Sequence, residues 1–146
     1  MPSKSKVCFF YQGTKFSLSK RAQLKEFVQY IFKNEGKKLD SVNCIFCSDN
    51  ALLDINQKYL EHDFYTDVIT FDLSNEDKIV AEIYISIDRV RENARNLGVS
   101  FNSEIHRVIL HGVLHLCGYN DKTRSDKSKI RLKEDFYLNR YLLKNR

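Results

Sequence analysis

Proline is almost absent: the one proline, Pro2, is terminal, and no Pro/Gly-rich tract, repeat or low-complexity stretch interrupts the 146 residues. With no such linker, residues 1–146 are expected to form one domain, long enough to bury a core without disulfides or other staples. Long apolar runs are missing too. Between Met1 and Gly13 only five strongly apolar residues stand together, Val7 to Tyr11, too few for a signal-peptide core or a bilayer span. The expectation is a cytoplasmic protein without membrane contact. In that setting the four cysteines, Cys8, Cys44, Cys47 and Cys117, are expected to be reduced thiols. Cys44 and Cys47 have C-x-x-C spacing, but residues three apart in a strand face opposite sides, so Val42, Cys44 and Phe46 read as one buried face. Cys117 turns away round its helix from the histidines described below and is not expected to be a ligand.

Neither apolar nor charged residues are short. At 42% and 29% they give an ordinary globular balance and exclude a disordered or fibrous chain. The net charge of +5 is unevenly placed: Asn120 to Arg146 holds nine Lys or Arg against four acids, and the rest of the chain is neutral. A basic C-terminal segment is either a solvated helix face or an attractor for a polyanion.

Hydrophobic periodicity and turn residues give the element order βαβαββααα. Val7–Gln12 reads as a strand, Ser19 as the cap of a helix bearing Leu24, Phe27, Val28, Ile31 and Phe32, and Ser41–Cys47 as a second strand. Asp49 or Asn50 caps a short helix, and Glu61 to Asp67 forms a polar loop. Val68–Leu73 and Ile79–Ser86 read as an antiparallel hairpin, and Ser86 or Asp88 opens a helix that Gly98 ends. Asn102 or Ser103 starts the next helix, which stops at Gly118, and a last helix spans Ser125 to Leu143, with Phe136, Tyr137 and Tyr141 expected in the core. The fold class expected is α+β: one domain, a small mixed sheet packed with helices, and a metal site at the end of a central helix.

That site rests on His111-Gly-Val-Leu-His115-Leu-Cys-Gly118-Tyr-Asn-Asp121. Two imidazoles four residues apart share one helix face, and Gly118 can turn the chain back to bring Asp121 round as a third ligand. Three ligands of this type with an open position suit a catalytic zinc ion, although another divalent metal is compatible. Such an ion lowers the pKa of water or polarises a phosphoryl or carbonyl oxygen. The residue after His111 is Gly112, where an H-E-x-x-H peptidase has its glutamate base, so peptide or amide hydrolysis is disfavoured. Arg107 and Glu104, four and seven residues before His111, fall near the same face and are candidates for phosphate contact and for ligand orientation or proton movement, or equally for a mutual or neighbouring surface salt bridge. Lys122, Arg124, Lys127, Lys129, Arg131 and Lys133 are the candidate contacts for a polyanionic substrate such as RNA. His62 and His106 have no ligand context and are expected at the surface or behind the site.

The HGVLHLCGYND string resembles the H-G-x-L-H-L-x-G-Y-D-H signature of the YbeY endoribonuclease family, also called ribosomal RNA maturation factors. Asn56 to Phe71 is similar to that family's N-x-x-[FY]-R-x-x-D-x-P-T-D-V-L-S-F segment, and Ala81 to Ser86 to its G-D-I-x-I-S strand. The resemblance implies a cytoplasmic protein with one zinc ion, acting on single-stranded RNA in 3′-end maturation of small-subunit ribosomal RNA and in ribosome quality control. Its partners would be the small ribosomal subunit and assembly factors. Two departures stand out: Asp121 replaces the signature's third histidine, and Leu60 stands at the arginine of the upstream segment. A carboxylate still binds zinc, but leucine cannot stabilise a phosphorane-like transition state, so Arg107 or a base between Lys122 and Lys133 would have to substitute. The alternative is an RNA-binding assembly factor whose metal is structural or vestigial.

Overall fold

A computed structural model describes residues 5–144. Its elements are β1 (Val7–Tyr11), α1 (Arg21–Asn34), β2 (Lys38–Cys47), α2 (Asp49–Leu60), β3 (Val68–Asp72), β4 (Lys78–Ser86), α3 (Ile87–Leu97), α4 (Phe101–Leu116) and α5 (Arg124–Lys144). The expected order holds. One mixed sheet has strand order β1-β2-β4-β3. β1, β2 and β4 are parallel, while β3 is the antiparallel hairpin partner of β4, with Val68 opposite Ile85 and Asp72 opposite Ala81. β2 begins at Lys38, earlier than Ser41, because a register shift between Leu39 and Ser41 lets the strand go on pairing with β4.

Side-chain alternation divides the sheet between two cores. Val42, Cys44 and Phe46 of β2 and Ala81, Ile83 and Ile85 of β4 pack in the main core with α1, α4 and α5. Cys47 joins Leu52 and Ile69 in a smaller cluster under α2. The two C-x-x-C thiols therefore lie in different clusters, and all four cysteines are free. Burial pushes the Cys44 thiol up to about 12, so it behaves as a small apolar residue.

α4 is the central element, buried along Ile105, Val108, Ile109, Gly112 and Val113. It seats directly on β4: a Cβ added at Gly112 would lie 2.9 Å from Cγ2 of Ile83. Each large aliphatic side chain buried between helix and sheet contributes about 1.5–3 kcal/mol.

Several helix starts differ from expectation by a residue or two. Ser48, not Asp49 or Asn50, caps α2, its hydroxyl accepting from the Ala51 N–H, and Asp49 is drawn instead to Ser86 and Arg89. Ser100 rather than Asn102 or Ser103 caps α4, while α1 starts from Lys20 in the left-handed region with no side-chain cap, so Ser19 does not serve. Ser86 caps α3 as expected. On α5, Tyr137 and Tyr141 are buried but Phe136 is 47% exposed, because the buried stripe runs through Ile130, Glu134, Tyr137, Leu138 and Tyr141 and leaves Phe136 at its edge. Among the described residues no helix is long and apolar enough to cross a membrane.

Candidate metal centre and substrate cleft

Helical spacing stacks His111 and His115 one turn apart near the C-terminal end of α4, with ring centroids 4.5 Å apart. The helix ends in a Schellman turn: the Tyr119 N–H reaches the Leu114 carbonyl and the Gly118 N–H the His115 carbonyl, with Gly118 at φ +103°. That reversal returns Asp121 to the two rings. Nε2 of His111 and Nε2 of His115 are 2.9 Å apart, and Oδ2 of Asp121 lies 3.3 and 3.4 Å from them. A point equidistant from the three atoms in their plane is about 1.9 Å from each, so one ion can satisfy all three at zinc bond lengths of about 2.0–2.1 Å.

The far side of each ring is committed. Nδ1 of His115 lies 2.9 Å from the Tyr119 carbonyl, which can only accept, so that nitrogen carries the proton and Nε2 presents a lone pair. Nδ1 of His111 lies 2.6 Å from Oε2 of Glu134, a buried carboxylate on α5. Burial disfavours the charged His111 ring, but the Glu134 hydrogen bond and the charges of Glu134, Asp121 and Asp67 outweigh it and raise the His111 pKa. The concentration of negative charge thus favours a cation at the Nε2 side.

Glu134 also accepts from Arg107 at 3.2 Å, and the other Arg107 terminal nitrogen lies 2.8 Å from Asp135. Arg107 therefore lines the site with its guanidinium already engaged. Glu104 is buried on the same wall, but the carboxylate that orients His111 is Glu134. Burial and the neighbouring charge of Asp67 raise the Glu104 pKa, against the opposing pull of Arg107 and Arg131.

Two clefts meet at His111, Asp121, Asp67 and Val68. One, of about 510 Å³, continues past Glu104, Arg107, Lys127 and Arg131. The other, of about 460 Å³, continues past Asn56, Leu60, His62 and Phe64. Of the expected RNA contacts, Lys127 and Arg131 line the first cleft. Lys129 and Lys133 line a separate apolar hollow with Tyr119, Leu132 and Phe136, and Lys133 lies 3.5 Å from Glu35. Lys122 and Arg124 are exposed and line neither cleft. His62 lies in the second cleft, whereas His106 is buried behind α5, stacked on Tyr141 with Nδ1 2.6 Å from the Asn102 carbonyl. The expectation that His106 sits at the surface or behind the site is corrected: it is core.

Residues 11–142 match the family described as Endoribonuclease YbeY. The chain belongs to that family. An Endoribonuclease YbeY of Flavobacterium psychrophilum is 49% identical over 120 residues, 82% of this chain and 86% of that protein. Another, from Cytophaga hutchinsonii, is 45% identical over 88% of this chain and 91% of its own length. A solution structure of a Thermotoga maritima protein matches with a TM-score of 0.65 at 31% identity, covering 92% of this chain and 88% of that one.

Within this YbeY fold, the residues that sequence reasoning missed are Glu134, Asp67 and Tyr119. Glu134 is 23 residues from His111 in sequence, and its one local signal is an acid among the buried positions of a basic helix. Asp67 lines both clefts from the loop before β3, held by the Asn93 side chain at 3.2 Å. Tyr119 acts through its backbone carbonyl, which side-chain identity does not reveal.

Proposed function

We propose that this chain is a metal-dependent endoribonuclease specific for single-stranded RNA, with His111, His115 and Asp121 holding one zinc ion. Its place is the maturation of the small-subunit ribosomal RNA 3′ end and ribosome quality control in the cytoplasm, with the small subunit and assembly factors as partners. The observation that carries the reading is the convergence of two Nε2 lone pairs and one carboxylate oxygen within 3.4 Å, in a chain of the Endoribonuclease YbeY family.

The donor set fits zinc: two imidazole nitrogens and a carboxylate oxygen, with the outer ring nitrogens fixed by the Tyr119 carbonyl and Glu134. Bound there, the ion supplies Lewis acidity toward a phosphoryl oxygen and makes water a better nucleophile. The chain does the rest. Lys127 and Arg131 line the cleft beside the site and attract the phosphates of a flexible strand. Glu104 is buried in the wall of the same cleft, where burial and the charge of Asp67 raise its pKa and make it a candidate to move a proton.

A peptidase reading lacks the glutamate base of an H-E-x-x-H helix, since position 112 is glycine and faces Ile83 of the sheet. The reading as an RNA-binding assembly factor draws on one specific observation: Leu60 lines the second cleft where the family segment has arginine, and Arg107 is tied to two carboxylates. Cleavage of an end-labelled single-stranded RNA by zinc-loaded chain, beside His115→Ala purified identically, separates the two. Cleavage lost in the variant is the expected result. Equal cleavage in both samples, or none in either while RNA is still retained, would overturn the enzyme reading.

A further inference from the structure

In the cleft that holds the three converging ligand atoms lies a shelf of flat rings that the structure leaves open to solvent. His62 and Phe64 stack with centroids 5.1 Å apart and ring planes 21° from parallel, and both line the cleft that contains His111, His115 and Asp121. Phe64 is 55% exposed and Leu60, on the same wall, 40%. Apolar groups left open together at the edge of a polar cleft mark a surface that a ligand covers.

The shelf is held in place. Asn56, a buried polar residue of α2, donates to the Phe64 carbonyl at 2.9 Å, and its own carbonyl accepts from the His62 N–H at 3.1 Å. Gln57 donates to Asp63 within the same loop. Tyr65, next along the chain, is committed elsewhere, its hydroxyl on Asn50 and its ring under Arg89. The loop thus presents His62 and Phe64 toward the cleft, at little further ordering cost to a ligand.

We propose that His62 and Phe64 form a stacking subsite for one unpaired nucleobase, next to the phosphate that reaches the metal ligands. The inference rests on the ribonuclease reading and names the part of the substrate that the second cleft takes. Continuity and charge select this occupant. The His62 and Phe64 rings line one cleft, Lys127 and Arg131 the other, and the two clefts meet at His111 and Asp121, an arrangement that suits a base on the rings, the reacting phosphate at the junction and further phosphates at the two basic side chains. A double helix cannot offer an unstacked base to the shelf, so the subsite accounts for single-strand preference. Every base has a π face, so the shelf contributes affinity with little sequence preference.

The chain contains no tryptophan, so Phe64→Trp installs at the shelf the chain's one indole, which can be excited selectively over its tyrosines. This variant is titrated with a ten-nucleotide RNA and with an abasic ribose-phosphate oligomer of the same length and charge; Phe136→Trp, in the separate apolar hollow, is the control. Binding of each labelled oligomer to the unmodified chain is followed in parallel by anisotropy. The subsite predicts that RNA quenches the indole of Phe64→Trp, that the abasic oligomer does not, and that neither quenches Phe136→Trp. Phe64→Ala, at an exposed position that leaves the core intact, should weaken RNA binding about five- to hundredfold and leave abasic-oligomer binding unchanged. RNA that binds without quenching the shelf fluorophore, or quenching by the abasic oligomer to the same degree, would overturn the subsite and leave the ribonuclease reading standing. A shelf signal that changes with protein concentration alone would assign the surface to a second copy of the chain and overturn the subsite as well. Failure of the unmodified chain to bind or cleave RNA would end both readings.

Discussion

Replacing Glu134 by glutamine isolates what the carboxylate behind His111 contributes. Glu134 is 4% exposed, receives Nδ1–H of His111 at 2.6 Å and also holds Arg107 at 3.2 Å. Glutamine keeps the shape and one acceptor oxygen but removes the charge that makes the imidazole a stronger donor at Nε2. Outer partners of metal-bound histidines typically contribute 10- to 100-fold in affinity, or about 1.4–2.7 kcal/mol. The fold loses charge-assisted bonds as well, about 1–3 kcal/mol, a cost tempered because Arg107 keeps Asp135 at 2.8 Å. The assay is a zinc competition titration against a chromophoric chelator at neutral pH, with urea unfolding of the same samples. Expected are a dissociation constant raised roughly 10- to 100-fold and a folded baseline that persists in the absence of denaturant. Zinc affinity in the variant within a factor of about two of wild type would remove Glu134 from this role, and so would a wild-type chain that takes up no metal.

Gly112→Glu should destabilise the fold by more than about 2 kcal/mol, because the new Cβ meets Ile83 at 2.9 Å and a charge is buried against the sheet; urea unfolding checks it, and a stable variant that gains peptidase activity would contradict it. Leu60→Arg should raise single-turnover RNA cleavage at least about tenfold by placing a guanidinium in the cleft, and an unchanged rate would mean that position 60 does not reach the reacting phosphate. Charge reversal at Lys127 or Arg131 should weaken RNA binding and reduce the salt slope by about 0.7 for each phosphate no longer neutralised, measured by anisotropy across a salt series; an unaltered slope would take these bases off the RNA path. Burial pulls the Glu35 pKa up, but hydrogen bonds from Tyr137, Tyr119 and Lys133 and the Lys133 charge win, so the folded value lies below the unfolded one. Its stabilisation is therefore present above the ordinary glutamate value of about 4.3 and lost as pH falls through the lowered folded value. In urea unfolding, the stability difference between wild type and Glu35→Gln should shrink on acidification, and a difference independent of pH would contradict the assignment.

Parts of the site governed by local periodicity are legible in the sequence. Spacing of four puts His111 and His115 on one face, and Gly118 forecasts the left-handed turn that returns Asp121. The split of Cys44 from Cys47 follows from strand alternation in the same way. Long-range partners are not legible, since nothing in the sequence around Glu134 says that α5 lies beside α4. Helix starts fail for a different reason. Ser48, Asp49 and Asn50 can each cap α2, and the choice depends on Ser86 and Arg89, which engage Asp49 from across the fold. On α5 the basic residues mask the stripe, and Phe136 looks as apolar as Tyr137 although only Tyr137 faces the core. The Lys122 to Lys133 charge run reads as one basic surface in sequence, but helical geometry sends Lys127 and Arg131 to the cleft and Lys129 and Lys133 to a different hollow.

If RNA is cut at a single metal ion held by His111, His115 and Asp121, the metal stoichiometry of cleavage is fixed. Zinc is added stepwise to metal-free chain while cleavage of a labelled single strand is followed. Activity should rise linearly and break at one equivalent per chain, with no activity at any equivalent in Asp121→Ala. Cleavage that persists without metal, or an Asp121→Ala profile that overlays the wild type, would contradict a single-ion ribonuclease built on these three residues.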